Sequence, residues 1–500
     1  MFHFSKSKYT TFIRCPKMLW LNNYHPELAE DDPSAKDRMD KGNIVGDLAM
    51  GLFGAYEEMT ATDENGYIDR DKMVANTQDA LQRGVENICE AAFSYNGLYC
   101  AVDILRKEKD GYAIYEVKSS TEVKHIYIVD ISYQKYVLEK CGIKVTGTYV
   151  VNINSTYLFD GTLDIKQFFK ITDVDNMVEQ EYNIPAIEAN LDYAQRILEC
   201  TEEPDHDLSH GCRSPYKCAF WKYCTQHIPA PSVFDIPGIK FPKALDLYQR
   251  GFADLKDARA CEKFGDAKKR WIDYTLSDQP VHVDKDKIKA FLDGLSYPLY
   301  FLDFESMNLT IPEYPNSKPY TQILFQYSLH YIESGGGEIK HKEFLGVSGE
   351  DPRRALAEQL VQDIPTDGSV IVFNNAFEIP RLQELADIFP DLAPQLIRIK
   401  NNVVDLYRPF QKMYYYNKAC DSSTSIKRIL PAMFPDDPTL DYHNLEGIHN
   451  GGEAMTIFPL IKDMPPAEQE ITCKNLLKYC ELDTYATVKI WQKLKELCEE

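Results

Sequence analysis

The chain has 500 residues, 44% hydrophobic and 12% aromatic, and a formal net charge of −22. This implies about two to four globular domains rather than a disordered chain. The acidity argues against broad non-specific adhesion to nucleic acid but leaves room for a local basic groove. No apolar run is long enough for a membrane span, and the start, Met-Phe-His-Phe-Ser-Lys, lacks the charged-then-apolar order of a secretory signal. The 13 cysteines are scattered, so they read as reduced cytoplasmic thiols, some of them metal ligands, rather than a disulfide framework.

In chain order, residues 5–24 read as a short helix with Cys15 near its start and Trp20, Leu21 and Tyr24 on its apolar face. A glycine-interrupted helix is expected over 42–59, with Ile44, Leu48 and Leu52 on one side, and another helix over 76–93. A hairpin follows at 99–120, then a helix over 130–140 stopped at Gly142, and a strand over 145–152. This order gives a small α/β core. A helix at 183–199 precedes Cys212, Cys218 and Cys224, and prolines from Pro229 onward mark a boundary. Residues 243–295 are helical and charged. A second α/β unit opens with a buried strand at 297–305. Strands at 322–332, 340–345 and 369–374 follow, with helices at 353–363, 378–388 and 470–497.

The hairpin carries the first candidate site. Asp110-Gly111 signals a two-residue turn, because both central positions then need positive φ. Counting from it sets Leu105 opposite Glu116 and Asp103 opposite Lys118, and the period of two puts all four on one face. Two carboxylates can hold a hard divalent cation through oxygen, and a lysine beside them can orient water or steady a developing oxyanion. The alternative is a solvated hairpin face with a cross-strand ion pair.

The second half spaces its acids differently. Asp303-Phe-Glu305 ends a buried strand, where ligands of α/β sheets usually bind. Glu378 follows another strand and opens a helix, and Tyr479 and Asp483 share one face of the last helix. Four carboxylates and a phenol can hold two divalent ions around one phosphate. Without metal, each like-charge pair at 4 Å costs on the order of 4 kcal/mol at an effective dielectric of 20.

Asp303-x-Glu305, Asn374-x-x-Phe377-Glu378 and Tyr479-x-x-x-Asp483 resemble the three motifs of the DnaQ-like, RNase H-fold exonucleases of the tyrosine (DEDDy) type, over roughly 297–495. The resemblance implies that the four acids bind two Mg²⁺ or Mn²⁺ and that Tyr479 positions the attacking water. The second motif departs from the family, with Glu378 for the usual Asp and Phe373 for the usual His. The first half resembles the RecB-like PD-(D/E)XK nucleases, in the iron–sulfur branch with CRISPR-associated and AddB-type members. Asp103, Glu116-Val117-Lys118 and Gln134 match its catalytic pattern. Cys15, Cys212, Cys218 and Cys224 match its cluster ligands, implying a [4Fe–4S] cluster that clamps the two ends of this unit. Here too there are departures: Gly46 stands in the stretch where many relatives carry a metal-binding His, and the last cysteines are spaced x5/x5 rather than x2/x5.

Zinc is the alternative to iron at the cysteines, with His206, His210 or His227 completing its ligands. The expected architecture is a PD-(D/E)XK restriction-endonuclease-like core with helical and iron–sulfur elements over 1–228, a helical connector over 229–294, and an RNase H-like 3'-5' exonuclease domain over 295–500. The expected activity is metal-dependent hydrolysis of DNA in the cytoplasm, at two active sites, on single strands or ends, in repair, recombination or defence. The rival readings are a nucleic-acid-binding protein with one active nuclease unit and an RNA-directed exonuclease. No membrane or particular protein partner is implied. Lesser features read as structural: Lys268-Lys-Arg-Trp271 as a helix face and Tyr414-Tyr-Tyr416 as core, while Lys427 is placed near phosphate at the second site.

Overall fold

The computed structural model describes residues 4–32 and 34–499. Residues 1–3, on which part of the no-leader reading rests, lie outside them. The chain forms two compact units, residues 1–227 with 310–320, and residues 228–309 with 321–500. The expected connector over 229–294 is therefore part of the second unit, and a short later segment joins the first.

In the first unit the order is β1 (Phe4–Ser5), α1 (Lys6–Arg14), α2 (Pro16–Tyr24), α3 (Ser34–Met50), β2 (Glu57–Glu58), α4 (Arg70–Arg83), β3 (Asn87–Tyr95), β4 (Leu98–Glu108), β5 (Gly111–Lys118), α5 (His125–Lys140), β6 (Val145–Ile153), α6 (Ile165–Phe168), β7 (Phe169–Asp173), α7 (Asp175–Glu181), α8 (Ile184–Glu199) and α9 (Trp221–Cys224). The sheet runs β2-β3-β4-β5-β6-β7, with β1 added to β4. β3, β4 and β5 are antiparallel, whereas β5 and β6 are parallel and joined through α5. Ala113, Ile114, Tyr115 and Glu116 are all buried, so β5 is covered on both faces, as a strand beside a parallel crossover must be.

Several expectations change here. Helix α4 stops at Arg83, where Gly84 takes the left-handed conformation, and 87–95 is a strand rather than the end of a helix. Asn96 and Gly97, at φ 48° and 83°, form the tight turn into β4, and this Asn-Gly hairpin is why the chain before it pairs as a strand. The expected single helix over 5–24 is broken at Cys15, whose extended backbone ends α1 and caps α2. In α3 the buried stripe is Val45 and Ala49, continuing to Leu52, while Ile44 is exposed; the face is rotated by one residue from the expected one.

The register of the β4–β5 hairpin also differs. Leu105 faces Ile114 and Glu108 faces Gly111, so Lys109 and Asp110 make the turn. Neither Asp110 nor Gly111 has a positive φ. Gly111 serves close approach instead: a Cβ there would lie 2.3 Å from the Lys144 carbonyl oxygen and 2.8 Å from Thr146 Cγ2. Each residue meets a partner two positions away from the expected one. Because the side-chain period is two, the faces are preserved, and Asp103 falls opposite Glu116 rather than Lys118, one step beyond the last paired residues.

The second unit runs α10 (Phe241–Gln249), α11 (Leu255–Cys261), α12 (Asp266–Leu276), β8 (Val281–Val283), α13 (Lys285–Leu292), β9 (Leu299–Asn308), β10 (Gln322–Ile332), β11 (Lys340–Leu345), α14 (Arg353–Asp363), β12 (Ser369–Val372), α15 (Glu378–Ile388), α16 (Ala393–Asn401), β13 (Val403–Asp405), α17 (Arg408–Gln411), β14 (Tyr415–Asn417), α18 (Ile426–Met433), α19 (Gly451–Ile457) and α20 (Pro466–Glu499). Its main sheet has the order β11-β10-β9-β12-β13. β10 is antiparallel to both neighbours, and β9, β12 and β13 are parallel. Helix α20 packs on β9 and β10. Residues 228–294 join this unit because Trp271, Leu247 and Ala258 share a core with Met413 and Tyr416, and because β8 pairs with β14. Among the described residues, no helix is long and apolar enough to cross a membrane.

Candidate active sites

In the first unit, β4 supplies Asp103, β5 supplies Glu116 and Lys118, and α5 supplies Gln134. Glu116 and Gln134 are fully buried. Gln134 Nε2 donates to Glu116 Oε2 at 2.7 Å and to Asp130 Oδ1 at 3.1 Å. Lys118 Nζ donates to Glu116 and lies 3.2 Å from Asp130 Oδ2. Asp103 accepts from the Val117 backbone N–H at 2.6 Å. The four expected residues are thus brought together, with two additions. Lys6, the first residue of α1, lies 3.2 Å from Glu116 and 3.7 Å from Asp103. Asp130 stands four residues before Gln134 on one helical face, a spacing visible in the sequence; Lys6 carries no such signal.

Two ammonium groups, Lys6 and Lys118, stand among the carboxylates of this site. Burial opposes ionisation of Glu116, yet the ammonium groups of Lys118 and Lys6 hold its carboxyl well below the usual range. Burial and the neighbouring Glu116 push Asp103 up to about 6. Glu90 has a positive φ in β3 and is raised to about 7 by burial and by Asp103.

Cys15, Cys212, Cys218 and Cys224 line one cavity, and His206 lines it too. Arg14 and Gly211 explain the meeting of residue 15 with residues 212–224. Arg14 Nε donates to the Gly211 carbonyl at 2.7 Å, and its Nη2 to the Tyr216 carbonyl at 2.6 Å. A Cβ on Gly211 would lie 2.4 Å from the Arg14 carbonyl oxygen, so only glycine permits this approach. The Cys218 N–H donates to the Cys212 carbonyl at 2.8 Å. Burial raises the Cys15, Cys218 and Cys224 thiols; a metal ion would reverse that preference by binding the thiolates.

In the second unit, Asp303 and Glu305 on β9 and Asp483 on α20 bring carboxylate oxygens within 4.8 Å of one another. All three are raised, first by burial; Asp483 then drives up both Asp303 and Glu305, which reaches about 8. Tyr479 is buried on the same helix, and Lys427 Nζ donates to its hydroxyl at 3.4 Å and to the His449 carbonyl at 2.8 Å. Tyr442, which no sequence signal indicated, donates to Asp483 Oδ1 at 2.6 Å.

Glu378 stands beside this trio rather than within it. It opens α15, is 3% exposed, and its buried Oε2 has no hydrogen-bond partner among the described residues. Burial and Asp405 raise it to about 8, and it contributes to the rise of Asp303. Asn374 places it by turning the chain at φ 78°, which asparagine tolerates, and its N–H donates to Asp405 Oδ1 at 2.9 Å. Asp405 ends β13, and the rule that ligands gather at strand ends could have found it.

Residues 300–425 match a family described as a domain of unknown function (DUF2779). This span carries Asp303, Glu305 and Glu378 but ends before Tyr479 and Asp483. The chain is similar to "Uncharacterized protein UU173" of Ureaplasma parvum serovar 3, at 29% identity over 238 residues, 43% of this chain and 33% of that protein. It is also similar to "Uncharacterized protein MG366 homolog" of Mycoplasma pneumoniae, at 26% identity over 228 residues, 42% of this chain and 34% of that protein. A third relative is "Uncharacterized protein MG366" of Mycoplasma genitalium, at 25% identity over 233 residues, 43% of this chain and 34% of that protein. The chain spans about a third of the length of these curated relatives.

Proposed function

We propose that this chain is a cytoplasmic, metal-dependent nuclease that hydrolyses phosphodiester bonds of DNA, at single strands or ends. The observation that carries the reading is the convergence of half-buried Asp303 with buried Glu305 and Asp483, mutually repelling, from positions up to 180 residues apart. Such a group is stabilised by a multivalent cation, and its all-oxygen donor set suits Mg²⁺ or Mn²⁺. The orphaned Glu378 oxygen fits the same need. The sheet supports an RNase H-like fold for this unit, since its first strand is central and its second runs against the others. Asp303, Glu305, Asp483 and Glu378 would hold the ions. Bound there, the ions would supply Lewis acidity, a water of lowered pKa and charge compensation at the phosphate. Tyr479, with Lys427 on its hydroxyl, would orient the attacking water, and Tyr442 would hold the Asp483 carboxylate in place.

In the first unit, Asp103 and Glu116 would hold a divalent ion, with Lys118 and Gln134 orienting Glu116. The hairpin and the α5 crossover support the PD-(D/E)XK reading. The four cysteines, brought to one cavity, would hold a [4Fe–4S] cluster, with Zn²⁺ and His206 as the alternative. Lys6 already spans Asp103 and Glu116, which favours a second reading in which only the second unit cleaves.

End-labelled single- and double-stranded DNA and RNA, incubated with Mg²⁺ or Mn²⁺, test both readings. Asp303→Asn should abolish shortening from an end, and Asp103→Asn should abolish a second cleavage activity. If Asp103→Asn and Lys118→Ala leave every product unchanged, the one-site reading holds. If neither site's variants alter any product, the nuclease reading is wrong; shortening confined to RNA would move the substrate from DNA to RNA.

A further inference from the structure

We propose that His330, His341 and Glu481 form a zinc-binding site separate from the acid clusters and the cysteines. His330 on β10 faces His341 on β11 across the antiparallel ladder, and their rings stack with centroids 4.4 Å apart. Glu481 reaches them from α20, with Oε1 4.0 Å from His341 Nδ1. One ligand atom from each of the three lies within 4.8 Å of the others.

The way the rings are held distinguishes this group from a chance surface cluster. His330 Nδ1 hydrogen-bonds to Thr484 Oγ1 at 2.8 Å, and His341 Nε2 to Ser328 Oγ at 2.9 Å. The two hydroxyls bond each other at 2.7 Å. Each ring therefore uses one nitrogen on a hydroxyl, leaving Nε2 of His330 and Nδ1 of His341 for a ligand. Metal-binding imidazoles are oriented in this way, with the second nitrogen fixed by an outer hydrogen bond.

Two imidazoles and one carboxylate suit Zn²⁺, whereas Mg²⁺ prefers oxygen alone. Zinc bonds of about 2.0–2.2 Å put tetrahedral ligands roughly 3.4 Å apart. The exposed Glu481 side chain can close that difference by turning. A fourth position remains for water. The site would brace β10 and β11 against α20, the helix that carries Tyr479 and Asp483. Its hydroxyl pair touches the second acid cluster's own framework, because Ser328 pairs across the sheet with Asp303.

The test uses the full chain, stripped with chelator, reloaded with Zn²⁺ and analysed for bound zinc. The cysteines and the acids also bind zinc, so the difference between variants is the readout. His341→Ala should carry one equivalent less than the parent. In Co²⁺-loaded protein it should lose nitrogen/oxygen-type d–d absorption while thiolate bands stay. Glu481→Gln changes an exposed side chain and leaves folding intact; it should weaken this equivalent by about tenfold or more. Zinc content and affinity of Glu481→Gln and His341→Ala equal to those of the parent would overturn the proposal.

Discussion

In the first unit the carboxylates of Asp103, Glu116 and Asp130 come with two ammonium groups, Lys6 and Lys118. In the second, Asp303, Glu305 and Asp483 have Lys427 nearby, and its ammonium is shared with a carbonyl and the Tyr479 hydroxyl. Glu116 and Glu305 are the same residue type, both buried on strands. One is held below the usual carboxylate range, and the other is raised to about 8. Burial acts on both in the same direction, so the neighbouring cations decide the outcome. Glu116 has its counter-charge within the protein, whereas Glu305 is left short of positive charge.

The largest effect that separates them should come from neutralising one acid in each. Glu116→Gln removes the anion between two lysines and should destabilise the chelator-treated protein by about 3–5 kcal/mol, as for other broken buried ion pairs. Asp303→Asn relieves repulsion and should leave stability unchanged or raised. Urea titrations of the full chain decide this, and equal losses in both would erase the distinction.

Divalent ions come next. At 100 times its Kd, an ion bound only by the folded state adds about 2.7 kcal/mol. Mg²⁺ or Mn²⁺ should therefore raise the melting temperature of the chain. Asp303→Asn should remove most of that gain, and Asp103→Asn should keep most of it.

The pH dependence of the metal-free protein sharpens the contrast. Glu305 and Glu378 are near 8 when folded against 4.5 otherwise, so the folded state binds the extra protons between these values. Their contribution is complete below pH 4.5 and is lost as pH rises towards 8. Glu116 has the opposite sign: its contribution is present above pH 4.5 and fades as pH falls below that. Denaturation midpoints in chelator at pH 5 and pH 8 should show Glu305→Gln losing much of the decline with rising pH, while Glu116→Gln keeps it.

The smallest effect is expected at Tyr442. Tyr442→Phe removes one hydrogen bond to Asp483 and should cost about 1.5–3 kcal/mol, the range for bonds to charged groups. Tyr479→Phe should leave the Mn²⁺-induced stabilisation unchanged yet slow end digestion, because its hydroxyl would serve water rather than metal. A loss of metal response in Tyr479→Phe as large as in Asp303→Asn would reverse these roles.

Much of the second unit was readable in advance. Strands 322–332 and 340–345 and helices 353–363 and 378–388 have the expected ends, since a Gly-Gly-Gly turn, prolines and clear changes of period punctuate them. The first unit was harder. Its 76–93 stretch reads as a helix until Gly84, Asn96 and Gly97 are given their weight, and its central hairpin turns at Lys109-Asp110 because Gly111 is needed for contact with Lys144. Lys6 and Tyr442 were invisible because they meet their partners across 110 and 41 residues.

The sequence by itself determined which acids share a strand face, which residues share a helix face, and which cysteines are free to gather. Those properties depend on side-chain periods and on short-range backbone preferences. Tertiary structure alone decided the charge state of each acid: that Lys6 reaches Glu116, that Lys427 is shared among other groups, and that Glu378 meets Asp405. Coulomb energy depends on distance in space and on how much water is excluded, and neither quantity is set by separation along the chain.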